Sequence, residues 1–229
     1  MPSALVTGGS SGIGLAIARM LRDEGYELTL AARTVERLEE AAGALEAKAI
    51  PVDVRHEEEC ARLVAAHLEA HGGLDVLVNS AGVGIAGQIG DTSTKQFDLQ
   101  QSVNLRSAFL VTREALPALR ESHGYVVNLA SIAGTIPTPG LATYGAAKAA
   151  LIALTRSLVR EESDTGVRAT ALCPGFVDTP MAEFAGLSAD EMIQPEDCAE
   201  VVRMCLRLSP RARVPQVVIE RVGSSGKVA

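Results

Sequence analysis

A tyrosine and a lysine stand at the spacing that brings two side chains to one face of a helix. Tyr144 and Lys148 are at positions i and i+4, so their Cβ atoms are expected about 5–6 Å apart. A nearby ammonium group favours the phenolate, which would move the tyrosine pKa from about 10 towards neutral pH. Ser131 ends the preceding predicted strand, thirteen residues before Tyr144. The pair of Tyr144 and Lys148 therefore predicts general acid/base chemistry.

A glycine-rich run follows the first predicted strand and leads into an amphipathic helix. Its glycines permit a tight turn, a close backbone approach and close helix–sheet packing. The helix N-terminus adds unpaired N–H groups and the positive end of the helix dipole. We therefore predict a phosphate-binding turn, with a plain turn as the alternative. The run reads Thr7-Gly8-Gly9-Ser10-Ser11-Gly12-Ile13-Gly14.

The same run contains the pattern that surrounds the nucleophile of serine hydrolases, Gly8-x-Ser10-x-Gly12. Such an enzyme needs an acidic residue and then a histidine downstream of the serine. The last of only four histidines is His123, so the C-terminal third supplies none. A hydrolase is therefore the weaker alternative.

The end of the second predicted strand bears on the choice of cofactor. In dinucleotide-binding units an Asp or Glu at this place binds the adenosine ribose of NAD. This chain has Arg33 there and no carboxylate. A guanidinium pairs with a 2′-phosphate, so the sequence predicts NADP(H). The alternative is a solvated arginine that pairs with Glu36 or Glu39.

Two more strand ends fall on the same predicted edge of the sheet. Asp53-Val54 closes the third predicted strand, where the carboxylate could accept a hydrogen bond from an adenine amino group. For the amide that ends the fourth strand a structural role is the alternative, because amides at strand ends often join neighbouring loops. That fourth strand closes with the run Asn79-Ser80-Ala81-Gly82.

Short β-rich runs alternate with helical stretches along the chain. Several runs are apolar on both faces, which favours a parallel sheet covered by helices over a half-exposed antiparallel one. The first helix should bury Ile13, Ile17, Met20 and Leu21 and end near Gly25. The seven predicted strands are Ala4–Thr7, Glu27–Ala32, Ala49–Val54, Leu74–Asn79, Tyr125–Leu129, Val167–Leu172 and Gln216–Ile219.

This alternation predicts an α/β fold of the Rossmann type: a doubly wound, seven-stranded parallel sheet with helices on both faces. No repeat or long linker divides the chain, so we expect one dinucleotide-binding and catalytic domain over residues 1–229. The least regular part is Phe176–Gln194, which is a candidate mobile lid or an ordinary surface connection.

Composition argues against several classes of partner. The chain has 47% apolar and 21% charged residues, which is typical of globular proteins. Its net charge is −7 and no Lys/Arg cluster forms, so nucleic acid is not an expected partner. No apolar run reaches the ~18 residues of a membrane span, and the first residues lack a signal-peptide pattern, so we expect a cytoplasmic protein without a membrane partner.

We expect no bound metal. His67 and His71 have a metal-binding spacing, but they occupy a last helical turn, where cationic side chains are ordinarily favourable. The cysteines never form a Cys-x-x-Cys pattern, which favours reduced thiols over disulfides or metal ligands. They are Cys60, Cys173, Cys198 and Cys205.

In the order of its motifs the chain resembles the short-chain dehydrogenase/reductase family over nearly its whole length. The glycine motif of that family matches Thr7 to Gly14, its adenine-side aspartate matches Asp53, and its Asn-Asn-Ala-Gly segment matches Asn79 to Gly82. Ser80 departs from the usual asparagine. The resemblance implies that the catalytic residues are Asn104, Ser131, Tyr144 and Lys148, and that a cofactor motif contains Pro174, Gly175, Val177 and Thr179.

The resemblance implies hydride transfer between NADP(H) and a carbonyl or alcohol substrate. Tyr144 would be the acid/base, Ser131 would bind the substrate oxygen, and Lys148 would lower the phenol pKa and hold the nicotinamide ribose. Asn104 would hold a water that links Lys148 to solvent, unless it only makes a local hydrogen bond. A cofactor-binding regulatory or scaffold protein without turnover is the alternative.

The resemblance further implies a homo-oligomer, either a dimer or a tetramer. The C-terminal run Val217–Gly223 lacks the Asp-Gly-Gly ending of many relatives, which weakens the inference of a tetramer. The segments Thr138–Leu141 and Phe176–Leu187 correspond to the loops that flank the substrate pocket in the family, and their apolar residues indicate an apolar preference.

Overall fold

Strands and helices alternate through the computed structural model, which describes residues 1–223 with the exception of the side chains of residues 184 and 185. Residues 224–229 of the expected domain lie outside the described residues. The strands are β1 (Ser3–Thr7), β2 (Glu27–Ala32), β3 (Lys48–Pro51), β4 (Val76–Asn79), β5 (Tyr125–Leu129), β6 (Arg168–Pro174) and β7 (Gln216–Ile219).

All these strands are parallel and form a seven-stranded sheet in the order β3-β2-β1-β4-β5-β6-β7. The doubly wound sheet expected from the sequence is confirmed. Because the order reverses between β1 and β4, the carboxyl ends of these two strands border the crevice in which such folds bind ligands.

Helices cover both faces of the sheet. Along β1, Val6 belongs to one apolar core and Leu5 to the other, which explains why the strands are apolar on both sides. The first core includes residues of α1, α2 and α7, and the second includes residues of α3, α5 and α6. The helices are α1 (Gly12–Asp23), α2 (Val35–Ala44), α3 (Glu57–His71), α4 (Thr94–Gln101), α5 (Ser107–Ser122), α6 (Ala142–Glu161) and α7 (Pro195–Arg207).

Helices α4 and α5 are joined without a break by a π-helical segment, Ser102–Arg106. The loop that follows β6 contains two 3₁₀ turns, Pro180–Ala185 and Ala189–Glu191. A parallel bridge between Val177 and Ile193 pairs the two ends of this loop. No helix within residues 1–223 is long and apolar enough to cross a lipid bilayer.

The boundary predicted for the third strand is wrong at its end. β3 stops at Pro51, and the Val52 N–H makes one more bond to the Ala32 carbonyl oxygen, at 3.0 Å. Asp53 then accepts a hydrogen bond from the Arg55 N–H at 3.1 Å, which turns the chain away from the sheet. Asp53 and Val54 therefore lie in the loop that follows the strand.

Candidate active site

The glycine-rich turn between β1 and α1 is built on two left-handed residues. Gly8 has φ 66° and Gly12 has φ 53°, a region that favours glycine. A Cβ on Gly14 would lie 2.3 Å from the Gly8 carbonyl oxygen, so the start of α1 can approach the turn only through glycine. Ser11 precedes the helix without capping it through its side chain. The first N–H groups of α1 are therefore available to an anion.

A long cleft runs from this turn across the carboxyl edge of the sheet. Most of the site residues predicted from the sequence line it, together with Arg37, Ser80 and Met181, which were not predicted individually as site residues. Of the two predicted substrate-flanking segments, Leu141 and much of the segment after Gly175 line the cleft. The predicted residues that line it are Gly8, Ser10, Ser11, Gly12, Ile13, Arg33, Asp53, Val54, Ala81, Gly82, Ser131, Tyr144, Lys148, Pro174, Gly175, Val177 and Thr179.

Three predicted residues do not line the cleft: Gly14, Asn79 and Asn104. Gly14 serves the packing of α1 against the turn. The Asn79 amide nitrogen donates to Thr112 Oγ1 at 3.0 Å and to Asn128 Oδ1 at 2.8 Å, inside the protein. These hydrogen bonds join β4 to β5 and α5, and the cofactor-binding role of Asn79 stays a prediction.

Asn104 holds the segment that follows β4. It lies in the π-helical segment and is buried, with 1% of its surface exposed. Its Oδ1 accepts from the Val83 N–H at 3.0 Å, and its Nδ2 donates to the Val83 carbonyl oxygen at 2.8 Å. Both ends of the amide are thus engaged by one residue that is distant in the sequence, and the catalytic role of Asn104 stays a prediction.

The side chains expected to do chemistry converge at one end of the cleft. A Cβ on Gly145 would lie 2.7 Å from the Ala133 carbonyl oxygen, so α6 packs directly on the turn that follows Ser131. The Tyr144 side chain is hydrogen-bonded to Ser131. Lys148 is buried and donates from Nζ to the Leu129 carbonyl oxygen at 2.6 Å. The predicted constellation of serine, tyrosine and lysine is present in the structure.

The pKa of Tyr144 runs against the expectation from its spacing. Burial raises this pKa to about 12, and the hydrogen bond with Ser131 opposes the rise. Burial also lowers the pKa of Lys148 to about 8. Desolvation of each group by the protein therefore outweighs the attraction expected between a phenolate and an ammonium. At neutral pH Tyr144 carries its proton.

Two arginines lie at the opposite end of the cleft. Arg33 and Arg37 are exposed, line the cleft, and make no ion pair with any residue from 1 to 223. The alternative pairing of Arg33 with Glu36 or Glu39 is therefore absent. Arg37 lies in the first turn of α2, just after the predicted Arg33, and no sequence motif identified it.

Asp53 lies at this same end and is already engaged by Arg55. The Arg55 Nε atom is 2.9 Å from each carboxylate oxygen. This hydrogen bonding lowers the pKa of Asp53 to about 2, so the carboxylate stays ionised and able to accept hydrogen bonds.

The hydrolase and metal hypotheses find no support. None of the four histidines, all of which lie in the described part of the chain, lines the cleft with Ser10. His67 is fully buried and hydrogen-bonds to Thr29 Oγ1 at 2.9 Å and to the Gly73 carbonyl oxygen at 3.1 Å. Residues 1–223 contain no cluster suited to a metal ion. All four cysteines are buried free thiols.

Comparison with known proteins agrees with this geometry. A sequence profile described as short chain dehydrogenase matches residues 2–189. An oxidoreductase of Staphylococcus epidermidis is 37% identical over 222 residues, covering 96% of both proteins. The structure of an alcohol dehydrogenase from the archaeon Thermococcus sibiricus, complexed with 5-hydroxy-NADP, has a TM-score of 0.90 and 32% identity, covering 97% of each chain.

A second solved structure, a variant of actinorhodin polyketide ketoreductase with NADPH, has a TM-score of 0.89. It is 32% identical and covers 99% of this chain and 97% of its own. Together with the profile match over most of the chain, these similarities identify the protein as a member of the short-chain dehydrogenase family of oxidoreductases.

Proposed function

We propose that the protein is an NADP(H)-dependent oxidoreductase that interconverts carbonyl compounds and alcohols, with Tyr144 as the acid/base. The observation that carries the proposal is the convergence of Ser131, Tyr144 and Lys148 in the same cleft as an uncapped helix N-terminus. Family membership and two NADP-type complexes among similar structures support it.

The residues of the cleft fit a dinucleotide with a 2′-phosphate. Gly8 and Gly12 are both in the left-handed conformation and have no side chain that would fill the cleft. A Cβ on Gly12 would lie only 3.0 Å from the Thr179 side chain across the cleft, so a larger residue would narrow the space for a dinucleotide. Free N–H groups at the start of α1 suit a pyrophosphate. Arg33 and Arg37 would bind the 2′-phosphate because both guanidinium groups lack an acidic partner among the described residues.

When bound, NADP(H) donates or accepts the hydride. Tyr144 Oη, which is protonated at neutral pH, would give its proton to the substrate oxygen during reduction. Ser131 Oγ would donate a hydrogen bond to the same oxygen. Lys148 would stabilise the charge left on Tyr144, and Asn104 would fix the cleft wall at Val83.

The decisive experiment is a panel of ketones, aldehydes and alcohols run with NADPH and with NADH, with Tyr144→Phe alongside. We expect oxidation of NADPH with at least one carbonyl compound and its loss in the variant. Tight binding of NADPH without turnover of any compound would favour the regulatory alternative. A cytoplasmic location and a homodimer or homotetramer belong to the proposal through family membership, and light scattering tests the assembly.

A further inference from the structure

A buried glutamine in α4 takes no part in the proposed chemistry. Gln100 has none of its surface exposed, although an amide without partners is costly to bury. Its Oε1 accepts a hydrogen bond from the Ile85 N–H at 3.0 Å. Its Nε2 donates to Thr143 Oγ1 at 2.7 Å. One side chain therefore ties two separate parts of the chain together.

The first of these parts carries the acid/base residue. Thr143 directly precedes Tyr144 in the first turn of α6, and the residue before that helix, Leu141, provides no side-chain cap. The neighbouring Gln101 donates from Nε2 to the Thr143 carbonyl oxygen at 3.1 Å. Two glutamines of α4 thus hold the start of α6 where a local cap is missing.

The second part is a wall of the cleft. Ile85 lies in the irregular segment between β4 and α4, next to the cleft-lining Gly84. Farther along this segment, the Gly87 N–H donates to the Gly140 carbonyl oxygen at 2.8 Å, just before α6. The cleft wall and the tyrosine are consequently fixed to each other through hydrogen bonds that Gln100 completes.

We propose that Gln100 is a positioning residue that sets the place of Tyr144 relative to the cleft wall. This inference rests on the proposed function, since position matters only if Tyr144 transfers a proton. A misplacement of about 1 Å at such a group can reduce turnover about a hundredfold. Loss of Gln100 should therefore lower kcat and leave cofactor binding nearly unchanged, because Gln100 does not line the cleft.

The first test is Gln100→Met, which keeps the length and the burial of the side chain but removes both hydrogen bonds. We expect kcat for carbonyl reduction to fall about ten- to hundredfold, with the Kd for NADPH, measured by fluorescence titration, changed less than about twofold. The control is Ser93→Ala, which removes the capping box at the other end of α4. It leaves intact the bridge, by which we mean the two hydrogen bonds of the Gln100 side chain. Its kcat should match that of the unmodified protein.

The second test changes Thr143, the side-chain partner of Gln100, and remains informative if the Gln100 variant does not fold. Thr143→Val keeps the shape and loses the hydroxyl, so it should lower kcat, while Thr143→Ser should retain most of the rate. The double variant Gln100→Met/Thr143→Val should be less impaired than the two single effects multiplied, because both remove the same bond. Values of kcat within about twofold of the unmodified protein for both single variants would overturn the proposal.

Hydrogen exchange separates this inference from the proposed function. In Gln100→Met we expect faster exchange in the peptides that contain Ile85 and Tyr144, without NADPH present. If the unmodified protein reduces no carbonyl compound, the proposed function fails, and the exchange measurement still reports on the bridge. Unchanged exchange at both peptides contradicts the bridge itself.

Discussion

The Nζ atom of Lys148 lies 5.5 Å from the centre of the Tyr144 ring, over its face. This arrangement lets the ammonium interact with the ring while its hydrogen bond goes to the Leu129 carbonyl oxygen. Burial dominates the pKa of both groups, so the pair is set up with a protonated phenol. A protonated phenol suits the reduction of a carbonyl group at neutral pH.

Replacement of the phenol tests the acid/base role. Tyr144→Phe removes the hydroxyl and keeps the ring beneath Lys148, so we expect kcat to fall about a hundred- to ten-thousandfold. NADPH should bind almost as before, which isothermal titration calorimetry can measure. A variant with normal turnover would contradict the mechanism.

The rate of reduction should depend on pH through Lys148. Its pKa of about 8 means that the ammonium charge is lost as the pH rises through that value. Tyr144, with a pKa of about 12, keeps its proton over the same range. We therefore expect kcat for reduction to be flat between pH 6 and pH 7 and to decline above about pH 8. In Lys148→Met the rate should be low and this decline absent.

The choice of cofactor should follow the two free arginines. Arg33→Asp replaces a cation with an anion at the proposed 2′-phosphate site, so the Kd for NADPH should rise about ten- to hundredfold while NADH is little affected. Arg37→Ala should have a smaller effect in the same direction. Arg160→Asp, in the last turn of α6, makes the same charge change outside the cleft and is the control. Equal affinity of the unmodified protein for both cofactors would refute the assignment.

Acid should destabilise the protein through His67. Burial lowers the pKa of this histidine from 6.5 to about 4, so the folded state holds it neutral. Between these two values the unfolded chain binds the proton more readily, and about 3 kcal/mol of stability should be lost as the pH falls from 6.5 to 4. The depressed pKa of Asp53, about 2, acts only in a lower window, below its ordinary value of 3.8.

Denaturant unfolding at pH 7 and pH 4.5 measures this effect. His67→Gln should be less stable at pH 7 and should lose less stability in acid than the unmodified protein. The control is His56→Gln, because His56 is exposed and caps α3 without a side-chain hydrogen bond. If His67→Gln shows the same pH dependence as the unmodified protein, the histidine does not carry the effect.

The close contact between α6 and the turn after Ser131 should tolerate no side chain. In Gly145→Ala the added Cβ would lie 2.7 Å from the Ala133 carbonyl oxygen, so helix and turn must move apart. We expect kcat to fall about tenfold or more, with weaker thermal stability. Gly43→Ala is the control, because that helical glycine of α2 has no atom within 4 Å of the new Cβ and should gain about 0.5–1 kcal/mol.

The sequence predicts the sheet well because its strands have continuous apolar runs. Three of the predicted strands, ending at Ala32, Leu129 and Ile219, have the observed bounds. The predicted i, i+4 pair at Tyr144 and Lys148 also lies on one helix, as local spacing requires. Local patterns are therefore sufficient to predict most of the sheet and the pairing of Tyr144 with Lys148.

Contacts between distant residues account for what sequence reasoning missed. The bridge from Gln100 to Thr143 and the amide pair of Asn79 and Asn128 join elements that no local pattern relates. The prediction of a lowered pKa for Tyr144 was wrong for a similar reason, since the burial that raises this pKa depends on the whole surrounding structure. The predicted third strand extended too far because the Asp53 side chain accepts a hydrogen bond from the Arg55 N–H and forms a turn after β3.

The wide helical turn at Ser102–Arg106 has a consequence for mutation by deletion. A π-helical turn accommodates one more residue than an α-helical turn, and it therefore changes the directions in which the residues on either side point. Loss of a single residue here would let α4 run into α5 as a regular helix. The helix would still form, yet Asn104 and Gln100 could no longer both reach their backbone partners. The shortened chain would therefore fold but place the residues along the cleft incorrectly.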